Sequence, residues 1–515
     1  MITMTSALLR TERLYGSRPA IINSEINYTW EGHIERVKKL AGGLAELGLV
    51  RGDRYGIIGP NSFRYTELIH AGYWAGAIPV PINHRLAPPE ILHILKDADV
   101  KILALGDTYL NLTDDKLLNP WADKRIAIDK SNKKKSIKSV DQIINDAEVL
   151  SPRESAENDL AILLYTGGTT GLSKGVQLTH RNVCSNGYQV INAMNIIKED
   201  VYLHVAPMFH AADLLGSGFT MNGSAHAYVP VFSPEATLQA IQDYKVTQVM
   251  MAPTMIIMIL QEPTFDDYDI SSLQNLFYGS SPMAAEWVEK AMQRFANADV
   301  QQGYGLTETS PILTTFDAED HRKAVETNNT DILRAAGRPL IGIDLKILND
   351  DGIELPTNEA GEVCVKGPNV TSGYLNRPEE NKKAFRNGWF HTGDVGRVDE
   401  SGILFLMDRK KDMIVSGGEN IYTSEVEAAI YKHPDIFECA VIGVPDKTFG
   451  ESLFAVIVPV PGKVLNEEII INHCREHIAG YKIPRQMDFI DELPKSAMAK
   501  ILKNKLREIY AKKQE

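Results

Sequence analysis

Cysteine is scarce in this chain. Its 515 residues include four cysteines, at positions 184, 364, 439 and 474, and no two of them form a C-x-x-C pair. Scattered cysteines argue against a disulfide framework and against structural zinc, because both leave recognisable ligand spacings in a sequence. Buried or free thiols in a reducing compartment are the expected state. We therefore predict a cytoplasmic protein.

Long apolar runs are also missing. The most apolar stretch, VMMAPTMIIMIL (249–260), is short and contains Pro253, whereas a membrane span needs about 20 apolar residues, so we expect this stretch in the core. The N-terminal MITMTSALLRTERLYG lacks the basic start, apolar centre and cleavage site of a signal peptide. Neither a signal peptide nor a transmembrane segment is predicted.

Positive charge is in deficit. The chain has 54 lysines and arginines against 67 aspartates and glutamates, a net charge of −13. An acidic surface repels phosphodiester backbones, which excludes nucleic acid as the expected partner. The one lysine-rich segment, KSNKKKSIK (130–138), is expected to be a solvated loop, with weak contact to a membrane surface as the alternative.

The chain does contain a regular alternation of strand-like and helical patterns between about residues 25 and 260. RYGIIG (54–59) precedes a helical pattern at 63–77, and DLAILLY (159–165) precedes a helix that begins after Thr179. Strands that alternate with helices favour a layered α/β architecture with largely parallel sheets.

The pattern changes after about residue 335. Short strands between glycine turns at 344–352, 361–367 and 402–409 indicate a β-rich subdomain, and a small α+β unit follows the charged segment DRKKD (408–412). A chain of this length is too long for a single core. We predict an α/β protein with a large N-terminal domain of layered α/β subdomains plus the β-rich subdomain, and a small α+β C-terminal domain.

A glycine-rich loop, YTGGTTGLSKGV (165–176), follows one of the predicted buried strands. It fails the Walker pattern because Ser173 precedes Lys174 and glycine follows it, and it fails the Rossmann pattern because Gly167 and Gly168 are adjacent. Its backbone N–H groups, threonine hydroxyls and lysine are nevertheless suited to a polyphosphate. A mobile surface turn is the alternative at this point.

Seven segments together resemble the AMP-forming acyl-CoA synthetase, adenylation-domain and luciferase superfamily, and most closely its fatty-acyl and aryl-acid CoA ligase branch. The chain departs from the commonest family pattern at Gly167, Ser173 and Ala499, where serine, proline and glycine are more frequent. The matching segments are, in chain order, YTGGTTGLSKGV (165–176), APMFH (206–210), YGSSP (278–282), QGYGLTET (302–309), GWFHTGD (388–394), DRKKDMIVSGGENIYTSEVE (408–427) and PKSAMAKILKNKLR (494–507).

The resemblance implies that ATP binds at these segments, with the glycine-rich loop around the leaving β- and γ-phosphates. Asp394 would accept hydrogen bonds from the ribose, Tyr304 would face the adenine, and Thr169 and Glu308 would hold Mg²⁺. A turn aspartate, a core tyrosine and a solvated glutamate are the structural alternatives for these side chains. The implied ATP and AMP ligands are Thr166, Gly167, Gly168, Thr169, Thr170, Gly171, Lys174, Gly279, Ser280, Ser281, Tyr304, Gly305, Thr307, Asp394 and Arg409.

The resemblance also implies which residues carry the chemistry. Lys500 would reach from the C-terminal domain to the carboxylate and the α-phosphate, where it would neutralise both charges. Thr307 would donate to the α-phosphate, Glu308 would bind the metal, and His210 would lie at the rim of the acyl pocket. A solvent-facing lysine and a core histidine are the alternatives for Lys500 and His210.

Two domains joined by a hinge are implied as well. The expected domains are 1–408 and 412–515, with a hinge at 409–411 that turns at Lys411. Rotation there would make the C-terminal domain mobile and open a path for coenzyme A (CoA). Gly417 and Gly418 would line that path, and a plain glycine turn is the alternative.

The activity implied is that of an ATP-dependent carboxylic acid–CoA ligase that forms an acyl-adenylate. Apolar segments at 212–219, 253–260 and 277–283 favour a medium- or long-chain fatty acid or a bulky hydrophobic or aryl acid, although the same residues are suited to ordinary core packing. The alternatives are an enzyme that loads a carrier-protein pantetheine, a luciferase-type oxygenase, and a non-catalytic binding protein on the same fold. Because many family members are dimers, we expect a homodimer.

Overall fold

The computed structural model describes residues 2–114, 116, 118–121, 124–129, 137–166, 173–281, 283–416, 419–446, 449–495 and 501–511. The helices within these residues are α1 (Met4–Tyr15), α2 (Trp30–Glu46), α3 (Phe63–Ala75), α4 (Pro88–Asp97), α5 (Val140–Asp146), α6 (His180–Ala193), α7 (Gly216–Asn222), α8 (Pro234–Tyr244), α9 (Pro253–Leu260), α10 (Ala285–Arg294), α11 (Ala318–Glu326), α12 (Pro378–Ala384), α13 (Thr423–Tyr431), α14 (Glu467–Arg475) and α15 (Lys503–Ala511).

The strands of the N-terminal part come first in the chain, and those of the β-rich and C-terminal parts follow them. The strands are β1 (Pro19–Ile21), β2 (Tyr28–Thr29), β3 (Arg54–Ile58), β4 (Ile78–Pro81), β5 (Val100–Leu105), β6 (Arg125–Ala127), β7 (Leu160–Thr166), β8 (Lys174–Thr179), β9 (Val201–His204), β10 (Ala225–Tyr228), β11 (Gln248–Met251), β12 (Asn275–Gly279), β13 (Asp299–Tyr304), β14 (Thr314–Phe316), β15 (Arg338–Pro339), β16 (Asp344–Leu348), β17 (Gly361–Lys366), β18 (Phe385–Arg386), β19 (Trp389–Val398), β20 (Leu404–Arg409), β21 (Ile414–Ser416), β22 (Glu419–Ile421), β23 (Ile436–Asp446), β24 (Gly450–Pro459) and β25 (Gln486–Phe489).

The N-terminal part is built on two largely parallel sheets. The larger one has the order β15-β14-β13-β12-β11-β9-β10-β1-β2, and its strands from β13 to β1 pair in parallel. The smaller one, β4-β3-β5-β6, is parallel throughout. One apolar core combines α1, α2, α3 and α6 with strands of both sheets, and a second joins β9 to β13 with α8 to α11. The predicted layered α/β class is confirmed.

The apolar run at 249–260 lies in the core, as predicted, but it does not form one element. It ends strand β11 and then forms helix α9, and Pro253 is the first residue of that helix. Proline fits this position because the first turn of a helix has no use for its missing N–H. Among the described residues, no helix is long and apolar enough to cross a membrane.

The β-rich subdomain is a five-stranded antiparallel sheet, with β16-β17-β19-β18 in order and β20 against β19. The predicted strands at 344–352, 361–367 and 402–409 are confirmed as β16, β17 and β20. The ten-residue strand β19 was not predicted, and it contains the GWFHTGD motif except for its first residue. This strand therefore places the motif at the centre of a sheet.

The C-terminal part is a three-layered α+β unit. Its sheet has the order β22-β21-β24-β23, with β25 parallel to β24. Buried residues of α13 and α14 pack on one face, and Leu506 and Tyr510 of α15 pack on the other. The predicted order of helix, two strands, helix and final helix is confirmed. All four cysteines of the chain are buried free thiols, as predicted.

Candidate active site

The glycine-rich loop lies at the tip of a β-hairpin. Strands β7 and β8 are antiparallel, and Thr166 at the end of one faces Lys174 at the start of the other. The hairpin therefore brings the threonine and the lysine of the motif to the two sides of the loop base. The loop residues Gly167, Gly168, Thr169, Thr170 and Gly171 lie outside the described residues.

Helix α4 contacts both ends of this loop. The hydroxyl of Tyr165 donates to Asp97 Oδ2 at 2.8 Å, and Nε2 of His93 donates to the backbone carbonyl of Ser173 at 3.0 Å. Asp97 also accepts a hydrogen bond from Arg377 at 3.1 Å. These contacts join the loop to an element some 70 residues earlier in the sequence, so sequence reasoning missed them.

Tyr374 connects Glu308 to this hairpin. The Tyr374 hydroxyl donates to Glu308 Oε1 at 2.8 Å, and Lys174 Nζ lies 5.5 Å from the centre of the Tyr374 ring. Burial and the neighbouring Glu308 carboxylate raise the pKa of Tyr374, so its hydroxyl remains a donor. One tyrosine thus connects the predicted phosphate lysine with the predicted metal carboxylate.

Hydrogen bonds from residues of a later segment fix the backbone of the loop that carries Thr307 and Glu308. Thr307 is buried in a short 3₁₀ turn (Thr307–Thr309). The fully buried Asn369 donates to the carbonyl of Thr309 at 2.7 Å, and the Glu308 carbonyl accepts from the N–H of Thr371 at 2.8 Å. An Asn side chain that satisfies buried carbonyls fixes backbone position. Asn369 and Tyr374 lie in a segment to which the sequence assigned no role.

The segment predicted to border adenine follows the carboxyl end of β12. Gly279 faces Gly303 on β13, and a Cβ on Gly279 would lie 2.6 Å from the Gly303 carbonyl oxygen. A Cβ on Gly305 would lie 2.0 Å from the Pro311 carbonyl oxygen, so neither position admits a side chain. Ser280 and Ser281 come next, at the sheet edge where open α/β sheets bind ligands.

Asp394 and Arg409 face each other across strands β19 and β20. Arg409 Nε lies 2.6 Å from Asp394 Oδ1, and the hydroxyl of Tyr304 donates to Asp394 Oδ2 at 2.6 Å. Burial opposes the charge of Arg409, but Asp394 and the other anionic neighbours together outweigh it and raise the pKa of the guanidinium. The three predicted nucleotide ligands Tyr304, Asp394 and Arg409 therefore form one connected group.

His210 lies in the loop that follows strand β9. It caps a 3₁₀ turn (Ala211–Leu215), and its Nδ1 accepts from the Ala212 N–H at 3.3 Å. The loop before it is fixed by the buried side chain of Asn61, which donates to the Ala206 carbonyl at 2.9 Å and accepts from the Met208 N–H at 2.9 Å. Asn61 is a further positioning residue that the sequence pattern did not reveal.

The residues on either side of the predicted hinge residue Lys411 form ion pairs with different parts of the chain. Lys410 pairs with Asp350 of the β-rich subdomain at 2.6 Å, and Asp412 pairs with Arg507 of helix α15 at 2.7 Å. The residue before Lys411 thus pairs with the β-rich subdomain, and the residue after it pairs with helix α15 of the C-terminal part. Lys411 itself is exposed.

A second contact crosses the predicted domain boundary. Asp408 Oδ2 accepts from the Thr423 N–H at 2.5 Å and from its hydroxyl at 2.7 Å, at the start of α13. Any rotation of the C-terminal unit about Lys411 has to break these bonds. Lys500, Gly417 and Gly418 lie outside the described residues.

The fold and this group of residues define an adenylate-forming enzyme. Residues 9–375 match the profile of the AMP-binding enzyme family, and residues 425–500 match the profile of the AMP-binding enzyme C-terminal domain. The chain belongs to the AMP-binding enzyme family.

Two relatives illustrate the likeness along the sequence. A feruloyl-CoA synthase of an Amycolatopsis species is 34% identical over 505 residues, which cover 97% of each chain. A long-chain-fatty-acid–CoA ligase of Bacillus subtilis (strain 168) is 33% identical over 540 residues, which cover 98% of this chain and 94% of the relative.

Solved structures extend the likeness to three dimensions. The ATP-bound MatB of Rhodopseudomonas palustris superposes with a TM-score of 0.90 at 28% identity and covers both chains completely. The o-succinylbenzoate CoA synthetase of Bacillus subtilis, in complex with its acyl-adenylate intermediate, superposes with a TM-score of 0.85 at 29% identity and 97% coverage of each chain. The resemblance of the seven sequence segments to this superfamily is confirmed.

Proposed function

We propose that this enzyme joins a hydrophobic carboxylic acid to CoA in two steps. The acid first attacks the α-phosphorus of ATP, which gives an acyl-adenylate and pyrophosphate, and the CoA thiol then displaces AMP. The observation that carries the proposal is that residues 304–308 join two groups: Tyr304 contacts Asp394 at 2.6 Å, and Glu308 contacts Tyr374 at 2.8 Å. A nucleotide needs both a ribose acceptor and a phosphate site.

The ribose side of the proposed site is the buried Asp394. A carboxylate accepts strong, directional hydrogen bonds from ribose hydroxyls. Its two oxygens are already oriented by Arg409 and Tyr304, so the acceptor is in place before the nucleotide arrives. Such preorganisation lowers the cost of binding.

The phosphate side is formed by Thr166, Lys174, Thr307 and the loop between the first two. Lys174 would attract the leaving pyrophosphate, and Thr307 would donate to the α-phosphate. Glu308 offers the oxygen ligands that magnesium prefers, and Tyr374 fixes its carboxylate. A magnesium ion bound by Glu308 and Thr169 would neutralise phosphate charge. Lys500 would supply the remaining positive charge between the acid and the α-phosphate.

The thiol step is assigned to the hinge. Lys410 and Asp412 are attached to different domains, which leaves Lys411 as the residue at which the backbone turns. We propose domains 1–408 and 412–515, with Gly417 and Gly418 along the CoA path and His210 at the rim of the acyl pocket. A homodimer in the cytoplasm remains a prediction.

The acid is proposed to be a fatty acid or a bulky aryl acid. Residues of α9 and the neighbouring strand β11 are apolar and buried, including Met251, Met255 and Ile256, and the feruloyl and long-chain-fatty-acid relatives act on acids of this kind. Apolar surface favours such acids over small polar ones.

Pyrophosphate release across a panel of carboxylic acids, with and without CoA, tests the proposal. A hydrophobic acid should release pyrophosphate, and CoA should increase turnover. Release that requires a pantetheine-loaded carrier protein in place of CoA would indicate a carrier-loading enzyme, and oxygen-dependent light would indicate a luciferase-type reaction. No release with any acid would contradict the assignment as a ligase.

A further inference from the structure

Three side chains with metal-binding atoms meet in the β-rich subdomain, and none of them is among the predicted nucleotide ligands. Glu362 and Cys364 are two residues apart on strand β17, so their side chains point to the same side of the sheet. His391, on strand β19, faces Cys364. Cys364 Sγ lies 3.2 Å from His391 Nδ1, and His391 Nδ1 lies 3.2 Å from Glu362 Oε2. One ligand atom from each of the three residues lies within 4.8 Å of the other two.

We propose that Glu362, Cys364 and His391 bind a thiophilic divalent cation, with zinc as the best fit. Zinc takes nitrogen, oxygen and thiolate ligands at about 2.0–2.3 Å in a tetrahedron, which places neighbouring ligands roughly 3.4–3.6 Å apart. Both measured separations are within a few tenths of an ångström of that value. One carboxylate and one thiolate balance the charge of the ion, and water completes the fourth position.

Two long cationic side chains cover this group. Arg386 Nη2 lies 3.2 Å from Glu362 and donates to His391 Nδ1 at 2.7 Å, and Lys410 Nζ lies 3.3 Å from Glu362. A guanidinium can only donate, so His391 Nδ1 accepts and carries a lone pair, which an ion could take when Arg386 turns away. The side chains of Arg386 and Lys410 are 46% and 42% exposed, so both can turn outward and admit an ion.

A purely structural network of ion pairs is the competing explanation, and Cys364 argues against it. A thiol is not a charge-bearing member of an ion-pair network, yet the buried Cys364 Sγ lies 3.2 Å from His391 Nδ1, inside the group. A soft sulfur ligand is instead what selects zinc over magnesium. Sequence reasoning missed this site because His391 lies on a different strand from Glu362 and Cys364, and only strand pairing brings it to them.

The position of the site connects it to the hinge. Lys410 precedes Lys411 and divides its ammonium between Glu362 at 3.3 Å and Asp350 at 2.6 Å. An ion bound to Glu362 would break the Lys410–Glu362 ion pair. Lys410 would keep its ion pair with the exposed Asp350. Metal binding would therefore loosen one attachment of the hinge.

Cobalt absorption of the whole chain tests the site directly. Purified protein is stripped with a chelator and titrated with Co²⁺, and a thiolate ligand gives an intense ultraviolet charge-transfer band. We expect the band in the wild-type protein and in Cys474→Ala, which removes a different buried thiol, and its loss in Cys364→Ser. Zinc should displace the cobalt and abolish the band.

His391→Gln provides a second test that keeps the thiol. Its Co²⁺ affinity should fall at least about tenfold, because even outer ligands of metal sites contribute that much. Absence of the band in the wild-type protein at excess Co²⁺, or a band of full intensity in folded Cys364→Ser, would overturn the proposal. If circular dichroism shows that Cys364→Ser does not fold, unchanged Co²⁺ affinity in His391→Gln would overturn it.

Discussion

Tyr304 donates its hydroxyl hydrogen to Asp394 Oδ2 at 2.6 Å and so joins strand β13 of the large sheet to strand β19 of the β-rich subdomain. Burial and the adjacent carboxylate raise the pKa of Tyr304, which keeps the phenol protonated and able to donate. Tyr304 thereby positions Asp394, the proposed ribose acceptor. Tyr304 belongs to the same short segment as Glu308, the proposed magnesium ligand.

Replacing Tyr304 with phenylalanine tests this connection. The variant keeps the ring but loses the donor, so Asp394 loses the hydrogen bond to Oδ2 and keeps its ion pair with Arg409. Hydrogen bonds to charged groups contribute about 1.5–3 kcal/mol, so the KM for ATP should rise roughly tenfold or more. Pyrophosphate release at varied ATP concentration measures it.

Tyr278→Phe is the matched control for this substitution. The Tyr278 hydroxyl bonds Gln302 and His321 in the core rather than Asp394. Its loss should lower thermal stability and leave the KM for ATP near the wild-type value. An equal rise in both variants would mean that the effect of Tyr304→Phe comes from general destabilisation.

The Tyr374–Glu308 contact predicts a dependence on magnesium. Glu308→Gln removes the proposed ligand charge, and Tyr374→Phe removes only the group that orients it. The magnesium concentration for half-maximal turnover should rise in both, by about 10- to 100-fold for the orienting residue and further for Glu308→Gln. Glu380→Gln removes a carboxylate 4.0 Å from Lys174 Nζ and keeps the Tyr374–Glu308 hydrogen bond, so it should leave that magnesium concentration unchanged. Magnesium curves that coincide with wild type would refute the metal role of Glu308.

Lys500 is expected to act in only one of the two steps. Lys500→Ala should slow adenylate formation by at least about 100-fold, because it removes charge stabilisation where two anions meet. Transfer of a chemically prepared acyl-adenylate to CoA should proceed at the normal rate. Lys505→Ala, an exposed lysine of α15, serves as the control. Equal loss of both steps in Lys500→Ala would exclude the assigned role.

Buried histidines predict that stability falls in mild acid. Burial lowers the pKa of His180 from 6.5 to about 4, and its Nδ1 accepts from the Met4 N–H at 3.2 Å, a contact that protonation would abolish. The unfolded chain binds the proton more tightly, so this contribution is complete above pH 6.5 and is lost as the pH falls towards 4. The loss is on the order of 3 kcal/mol.

His180→Asn isolates this contribution because asparagine keeps an acceptor near the same position without titrating there. The variant should be less stable at pH 7 but should lose less of its free energy of unfolding between pH 6.5 and 4. Urea unfolding at a series of pH values measures both. Parallel pH curves for variant and wild type would show that His180 does not contribute.

Much of the fold could be predicted from the sequence because the signals are local. Apolar runs and glycine turns identified β3, α3 and the strands of the β-rich subdomain. Strand β19 was missed because its motif, rich in polar and glycine residues, is typical of a loop, and only pairing with β17 and β20 makes it a strand.

Candidate site residues could be proposed from the sequence only where one short segment contains the chemistry. Asp394, Glu308 and Lys174 are recognisable within their motifs. Tyr374 and Asn369 are not, because they act on residues about 60 positions away in the chain. Positioning contacts of this kind depend on tertiary packing, which no local pattern specifies.

The fate of the acid's own oxygen tests the central claim most directly. The enzyme is supplied with ATP, CoA and a hydrophobic acid whose carboxylate carries heavy oxygen, and the products are weighed by mass spectrometry. If the carboxylate attacks the α-phosphorus, each AMP formed carries one heavy oxygen and the pyrophosphate carries none. Unlabelled AMP, or heavy oxygen in inorganic phosphate together with ADP, would contradict an acyl-adenylate mechanism.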